Sequence, residues 1–360
     1  MQLQSLGWDL FFEEHFQPHR TAGLLPARVA VETRSLYTLI GEDGQFSARC
    51  RGRFLHQISD RADMPAVGDW VACMRRAETR EADIQAVLPR RTRFSRAAAG
   101  PETSEQVVAA NVDMLFLVTG LDHNYNLRRI ERYLAVAFES GAEPVIILNK
   151  TDLCLDTNER LAEVKAIARG LQVVAVSAAT GQAVDEVKRL IRPGNTVALL
   201  GSSGVGKSTL VNQLLGQQVQ DTGSARVTDG RGRHTTTTRS LIPIPSGGML
   251  IDTPGMRELG LWDIGTGVRG LFEDIGELAT QCRFNNCHHG SEPGCAIRKA
   301  LETGCLDPGR FQNWLKLQRE ESFVQRQQDE ALRRKHTANW KRTTTNYRQK
   351  TRFEQNQLDD

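Results

Sequence analysis

The chain has 360 residues, 39% hydrophobic and 25% charged, a composition that supports two or three soluble domains, each with its own core. No window of about 18 apolar residues runs uninterrupted, so a membrane-spanning helix is not expected. The net charge of +3 selects no partner by itself, but basic residues crowd 331–353, where no acid occurs, and 90–96, "RRTRFSR", and such density suits a polyanion.

Residues 1–26 form an N-terminal extension whose start, "MQLQSLGWDLFFEEHFQPHR", has Asp9, Glu13 and Glu14 and no leading basic cluster. That argues against a signal peptide and makes the cytoplasm the expected compartment. Over 27–96, the stretches "ARVAVET", "LYTLIG", "QFSARCRG", "VGDWVACM" and "EADIQAVL" alternate or carry β-branched residues between turn signals. Five short strands fit an all-β OB-fold barrel, a frequent nucleic-acid reader. A docking domain without a ligand would show the same pattern.

Across 97–258 the texture becomes α/β. "AAAGPETSE" (97–105) reads as a linker, followed by strand candidates "MLFLVTG", "PVIILNK", "VVAVSA", "TVALLG", "SLIPIP" and "GMLIDTPG", with helices at 127–140, 158–169 and 182–191. Residues 259–320 read as a small helical domain around a Cys/His loop. The basic tail 321–360 is a long exposed helix, a disordered segment, or the first running into the second.

"GSSGVGKST" occupies Gly201, Ser202, Ser203, Gly204, Val205, Gly206, Lys207, Ser208 and Thr209, between an apolar strand and an amphipathic helix, the context a P-loop requires. Its backbone N–H groups would face a β-phosphate, with Lys207 on the β- and γ-oxygens and Ser208 on Mg2+. In "LIDTPG", Asp252 ends a strand, placed to hold Mg2+ through water, and Gly255 would offer its N–H to a γ-phosphate. The intervening "GRGRHTTTTRS" supplies a threonine for the Mg2+ shell; Thr236 is the candidate among 235–238. Met256 stands where many switches place a water-orienting glutamine, which leaves His234 or a partner's group for that task.

"NKTD" places Asn149, Lys150, Thr151 and Asp152 after another apolar strand. A carboxylate at Asp152 accepts from both N1–H and N2–H2 of guanine, a pair adenine cannot offer. Ser177 and Ala178, in "SAATG", would close over O6. The base reader here precedes the phosphate grip, the reverse of the usual order. A short "RPGN" link between the last helix and first strand of the usual topology explains this as a circular permutation.

Of seven cysteines, Cys50, Cys73 and Cys154 are scattered and Cys305 reads as a core residue. Cys282, Cys287, His289 and Cys295 follow C-x4-C-x-H-x5-C, the donor set of a closed structural zinc site, with His288 as the alternative imidazole and disulfides as the other use.

Barrel, permuted GTPase and Cys/His loop occur in one order. "PAVGDWV", "NKTD", "GSSGVGKST", "GRHTTT", "DTPG" and "CRFNNCHHGSEPGC" together resemble the RsgA (YjeQ) family of small-ribosomal-subunit biogenesis GTPases over residues 25–320. The resemblance implies an OB-fold N-domain and GTP hydrolysis stimulated by the small ribosomal subunit late in its maturation. It implies one Zn2+, rRNA contact through barrel and zinc domain, and a monomeric cytoplasmic protein that hydrolysis releases. An RNA-binding module with a regulatory nucleotide site, and a metal-delivery GTPase with a transfer site in the cysteine loop, are the alternatives.

Overall fold

The computed structural model describes residues 2–33, 36–58, 60–76, 79–97, 105–218, 239–252 and 265–330. Helix α1 (Leu10–Thr21), capped by Asp9, leads into strands β1 (Leu25–Thr33), β2 (Leu36–Gly41), β3 (Gly44–Cys50), β4 (Trp70–Arg75) and β5 (Glu81–Val87), with α2 (Gly52–Gln57) after β3. These strands close in the order β1-β2-β3-β5-β4-β1, with β3 and β5 parallel and the other pairs antiparallel. The five expected strands thus make the expected barrel. Their alternation aims Val29, Leu39, Phe46, Val71 and Ile84 into one core. Trp8, Phe12 and Phe16 of the extension cover the outside of the barrel at Trp70, whose ring lies 4.7 Å from that of Trp8.

The expected linker is in part strand. Residues β6 (Arg93–Ala97) and β7 (Glu105–Ala110) pair antiparallel, so the ends of 97–105 belong to a hairpin, and 98–104 lie outside the described residues. The basic cluster at 90–96 is also largely occupied. Arg90 pairs with the fully buried Asp69 at 2.7 Å, Arg91 with Asp9, and Arg93 with Glu105.

The central domain runs β8 (Met114–Gly120), α3 (Leu127–Ser140), β9 (Glu143–Asn149), α4 (Thr157–Ala168), β10 (Gln172–Ala175), α5 (Val184–Leu190), β11 (Thr196–Leu200), α6 (Lys207–Leu215), β12 (Ser240–Pro243) and β13 (Met249–Asp252). The sheet order is β10-β9-β8-β11-β13-β12, parallel except for the β12–β13 pair. Continuous apolar runs such as "MLFLV" suit strands covered on both faces. All the predicted strands are present, and the order in space is that of a P-loop GTPase whose chain starts at a different strand. The link 192–195 joins α5 to β11. There Gly194 sits against the carbonyl of Gln4, and a side chain at Gly7 would meet Gly194 O at 2.8 Å. Beside them the buried Arg28 donates to the backbone oxygens of Leu6, Gly68 and Asn111, tying extension, barrel and central domain together.

Barrel and central sheet are continuous. Strand β1 pairs with β12 at Val31 opposite Ser240, and Arg239 lies 3.8 Å from Glu32. On the far side, α7 (Gly265–Leu271) and α10 (308–330) pack against α3, with α8 (Glu273–Thr280) on α7 and α9 (Ala296–Glu302) on α8. Glu131, fully buried on α3, accepts from Arg128 at 3.0 Å, Arg310 at 2.9 Å and Asn313 at 2.7 Å. Among the described residues no helix is long and apolar enough to cross a membrane. The tail is helical to residue 330, and 331–360 lie outside the described residues.

Candidate functional site: a nucleotide pocket and a Cys3His cluster

The carboxyl ends of β8, β9, β10 and β11 lie along one edge of the sheet, the edge where open α/β sheets bind ligands. The P-loop turns there between β11 and α6. Gly206 has a φ of 92°, and a Cβ on it would come within 2.3 Å of Asn149 Nδ2, so a side chain is excluded on both counts. Asn149 is 1% exposed and fills that space. Its Nδ2 donates to Val205 O of the P-loop at 2.8 Å, and its Oδ1 accepts from the Ala178 N–H at 2.9 Å. One side chain therefore bolts NKTD, SA and P-loop together. Helix α6 adds a second tie, Gln213 Nε2 to Ala178 O at 3.2 Å.

Asp152 is exposed at this edge and accepts from the buried Ser177 hydroxyl at 2.5 Å, which fixes the carboxylate's orientation. Lys150, in the left-handed region at φ 67°, stretches its ammonium to Asp122 at 2.7 Å. Burial works to raise the Asp122 carboxyl, but the Lys150 ammonium and the Asn124 N–H outweigh it and hold it below the usual carboxylate range. Thr151 Oγ1 is buried without a hydrogen-bond partner among the described residues. Lys207 Nζ donates to the carbonyls of Gly201 and Ser202, both at 2.6 Å, a position it can exchange for phosphate oxygens. Ser208 and Thr209 open the first turn of α6, and Asp252 ends β13 opposite Ser240. His234, Thr236, Gly255 and Met256 lie outside the described residues.

Sequence reading missed Asp122, Asn124, Arg129 and Gln213. The first three sit in "GLDHNYNLRR" just beyond β8. A polar run leaving a strand at the carboxyl edge of a parallel sheet was the available signal.

Cys282, Cys287, His289 and Cys295 bring one ligand atom each to within 4.8 Å of one another. Cys282 and Cys295 sulfurs are 3.9 Å apart, and His289 Nδ1 is 3.6 and 3.5 Å from them. Tetrahedral zinc, with bonds of about 2.3 Å to sulfur and about 2.0 Å to nitrogen, requires edges of about 3.8 and about 3.5 Å. The donor set fits zinc and is far too open for a disulfide. His289, not His288, faces the cluster, its ring packed against both Phe311 and Trp314 of α10. Cys305 is exposed, contrary to its expected place in the core: it lies in the turn between α9 and α10, where no apolar neighbour covers it.

A sheet in this order with these motifs at its carboxyl edge defines a circularly permuted P-loop GTPase. A family model described as RsgA GTPase matches residues 87–262. The small ribosomal subunit biogenesis GTPase RsgA of Opitutus terrae is 50% identical over 363 residues, covering 98% of this chain and 99% of that protein. The chain belongs to the RsgA GTPase family. The crystal structure of YjeQ from Thermotoga maritima matches with a TM-score of 0.60 at 27% identity, over 82% of this chain and 97% of that one. YloQ, a circularly permuted GTPase, shares the fold at a TM-score of 0.56 and 22% identity, over 85% of this chain and 96% of that one.

Proposed function

We propose that this GTPase acts in maturation of the small ribosomal subunit, as the names of its relatives say of them, and that GTP hydrolysis releases it. The observation that carries the nucleotide reading is the Asn149 side chain, bonded at once to the P-loop and to the SA loop. It supports one pocket in which Asp152 reads guanine N1–H and N2–H2, Lys150 lies along the ring and the loop at Ser177 and Ala178 closes over O6. At the other end, Lys207 neutralises β- and γ-oxygens, while Ser208, Asp252 and Thr236 are assigned to the Mg2+ shell. Magnesium supplies charge neutralisation on the phosphates. Gly255 is assigned to the γ-phosphate and His234 to orienting the water, since Met256 cannot. Cys282, Cys287, His289 and Cys295 hold a structural zinc that fixes the loop against α10.

On this reading the 27–96 barrel and the 259–320 zinc domain contact rRNA, the 97–258 GTPase domain sets the angle between them, and the basic 321–360 tail adds salt-dependent affinity. The protein works as a cytoplasmic monomer. GTP turnover should rise several-fold or more on titration with purified small subunits, while ATP is not hydrolysed. Turnover that stays flat across the titration would overturn the reading. Asp152→Asn should move preference from guanosine to xanthosine nucleotides, because the amide donates where the extra xanthine oxygen accepts. A rescue of cellular function by Lys207→Ala would favour the RNA-binding alternative.

A further inference from the structure

Helix α3 starts beside the P-loop, and its third residue, Arg129, is left unused by the guanine pocket, the lysine grip and the zinc-domain contacts. Its neighbours on the helix are all paired: Arg128 with Glu131 and Asp307, Arg132 with Glu320. Arg129 is partly buried and has no carboxylate partner among the described residues. Its Nη1 donates to Ser202 Oγ at 3.1 Å and Asn124 O at 3.3 Å. Nε and Nη2 have no acceptor among the described residues.

Lys207 donates to the carbonyl of the same Ser202. Two cationic side chains thus converge on one residue of the phosphate-binding loop, the ammonium on its carbonyl and the guanidinium on its hydroxyl. A partly desolvated guanidinium held only by neutral oxygens gains most from an arriving anion. Its planar fork matches phosphoryl oxygens better than any neutral acceptor does.

We propose that Arg129 reads the terminal phosphate: with GTP bound, its guanidinium leaves the Ser202 hydroxyl for γ-phosphoryl oxygens. The inference rests on the reading of this pocket as the GTP site. In hydrolysis, water adds to the γ-phosphorus, the bond to the β–γ bridging oxygen breaks, the electron pair departs with GDP, and the water's proton ends on phosphate oxygen or in solvent. Arg129 transfers no proton. It offsets negative charge on the transferring group, the service an arginine finger performs when a partner brings it. Here the residue comes from the chain itself, on the helix that also carries Glu131 into the zinc-domain interface.

The test uses the full chain with Mg2+, measuring dissociation constants for GDP and for guanosine imidotriphosphate, and single-turnover GTP hydrolysis with and without small subunits. Arg129→Gln keeps volume and hydrogen-bonding capacity but removes charge; Arg129→Ala removes both. Each should weaken the triphosphate analogue about tenfold or more while GDP stays within about twofold, and slow single-turnover hydrolysis by about a hundredfold. Arg129→Lys should fall between these and the wild type. Retained GDP affinity doubles as the control for folding. Equal weakening of GDP and analogue would make Arg129 a mere brace for the loop and overturn the proposal, as would an unchanged analogue affinity and rate in Arg129→Gln. If the wild type bound adenine and guanine nucleotides alike, the base reading would fall instead, and the ATP-analogue and ADP pair would report on Arg129 in the same way.

Discussion

The central domain has neighbours on two sides, joined to it by different means. At the barrel, β1 meets β12 through Val31 opposite Ser240, with Glu32 and Arg239 at 3.8 Å. Burial raises the Glu32 carboxyl despite Arg239, and burial lowers the Arg239 guanidinium with help from Arg96. Pairing there does not offset desolvation. At the zinc side, Glu131 is completely buried yet accepts from three donors, one from its own helix and two from α10. Asp274 on α8 also accepts from Arg310, and Arg310 with Arg169 holds its carboxyl below the usual range against the opposing effect of burial. The difference teaches that ion pairing outweighs burial at the zinc side and does not at the β1–β12 seam, where Arg28 and a shared apolar core hold the barrel instead.

The largest blow to the zinc side would be loss of the zinc proposed for the Cys3His cluster. A strong chelator should melt the packing of 265–330 against α3, since structural zinc contributes about 10–16 kcal/mol in small domains. GDP binding, which rests on Asn149 and Asp152, should survive. Calorimetry with a parallel GDP titration checks both, and an unchanged unfolding curve in metal-free protein would break the picture of a zinc-held unit.

Next comes Glu131→Ala, which strands Arg310 and Arg128 without their shared carboxylate. Breaking such a buried pair costs about 3–5 kcal/mol, or about 10 °C in unfolding midpoint at this domain size. A drop of only a degree or two would make the two joints alike.

Acid sharpens the contrast because the two joints respond with opposite sign. The depressed Asp274 carboxyl contributes fully above the ordinary value of about 3.9, and that contribution is lost as pH falls toward its lower folded value. The elevated Glu32 contributes fully below the ordinary value of about 4.3 and loses ground as pH rises through its folded value. Amide protection factors, corrected for the intrinsic exchange rate at each pH from 5 to 3, should therefore fall in α8 and α10 before β1 and β12. Asp274→Asn, with zinc content monitored, should flatten that early response.

Smallest is Arg239→Ala. A partly exposed pair at this distance is worth about 0–1 kcal/mol. The midpoint should move by no more than about 2–4 °C. A loss as large as that of Glu131→Ala would show that ion pairing outweighs burial at the seam as well.

The parts legible in sequence were those whose information is local. Alternation in "ARVAVET" and "LYTLIG", the apolar run "MLFLVTG" and the loop "GSSGVGKST" each specify an element within a few residues. The permuted order followed because three such motifs must share one nucleotide. The β6–β7 hairpin was missed because its strands are short and the Gly-Pro pair between them reads as a linker. The Glu131–Arg310 pair spans 179 positions, and a glutamate flanked by Ile130 and Leu134 reads as the solvated edge of an amphipathic helix. Arg129 was hidden for the same reason: its contact, Ser202, is 73 residues away. The Cys3His spacing left His288 and His289 as alternatives, and only the folded loop shows His289 in the cluster, with its ring against Phe311 and Trp314.

Rearranging a chain leaves a splice, here the four residues from Arg192 to Asn195, and the extension lies directly over it. A side chain on Gly7 would meet the Gly194 carbonyl and one on Gly194 the Gln4 carbonyl, and Arg28 locks the neighbouring carbonyl of Leu6. The segment from Leu3 to Gly7 therefore works as a clasp on the stitched end of the sheet, opposite the mouth where the nucleotide enters. Trimming it would loosen the scaffold from behind while leaving every nucleotide-contacting residue in place.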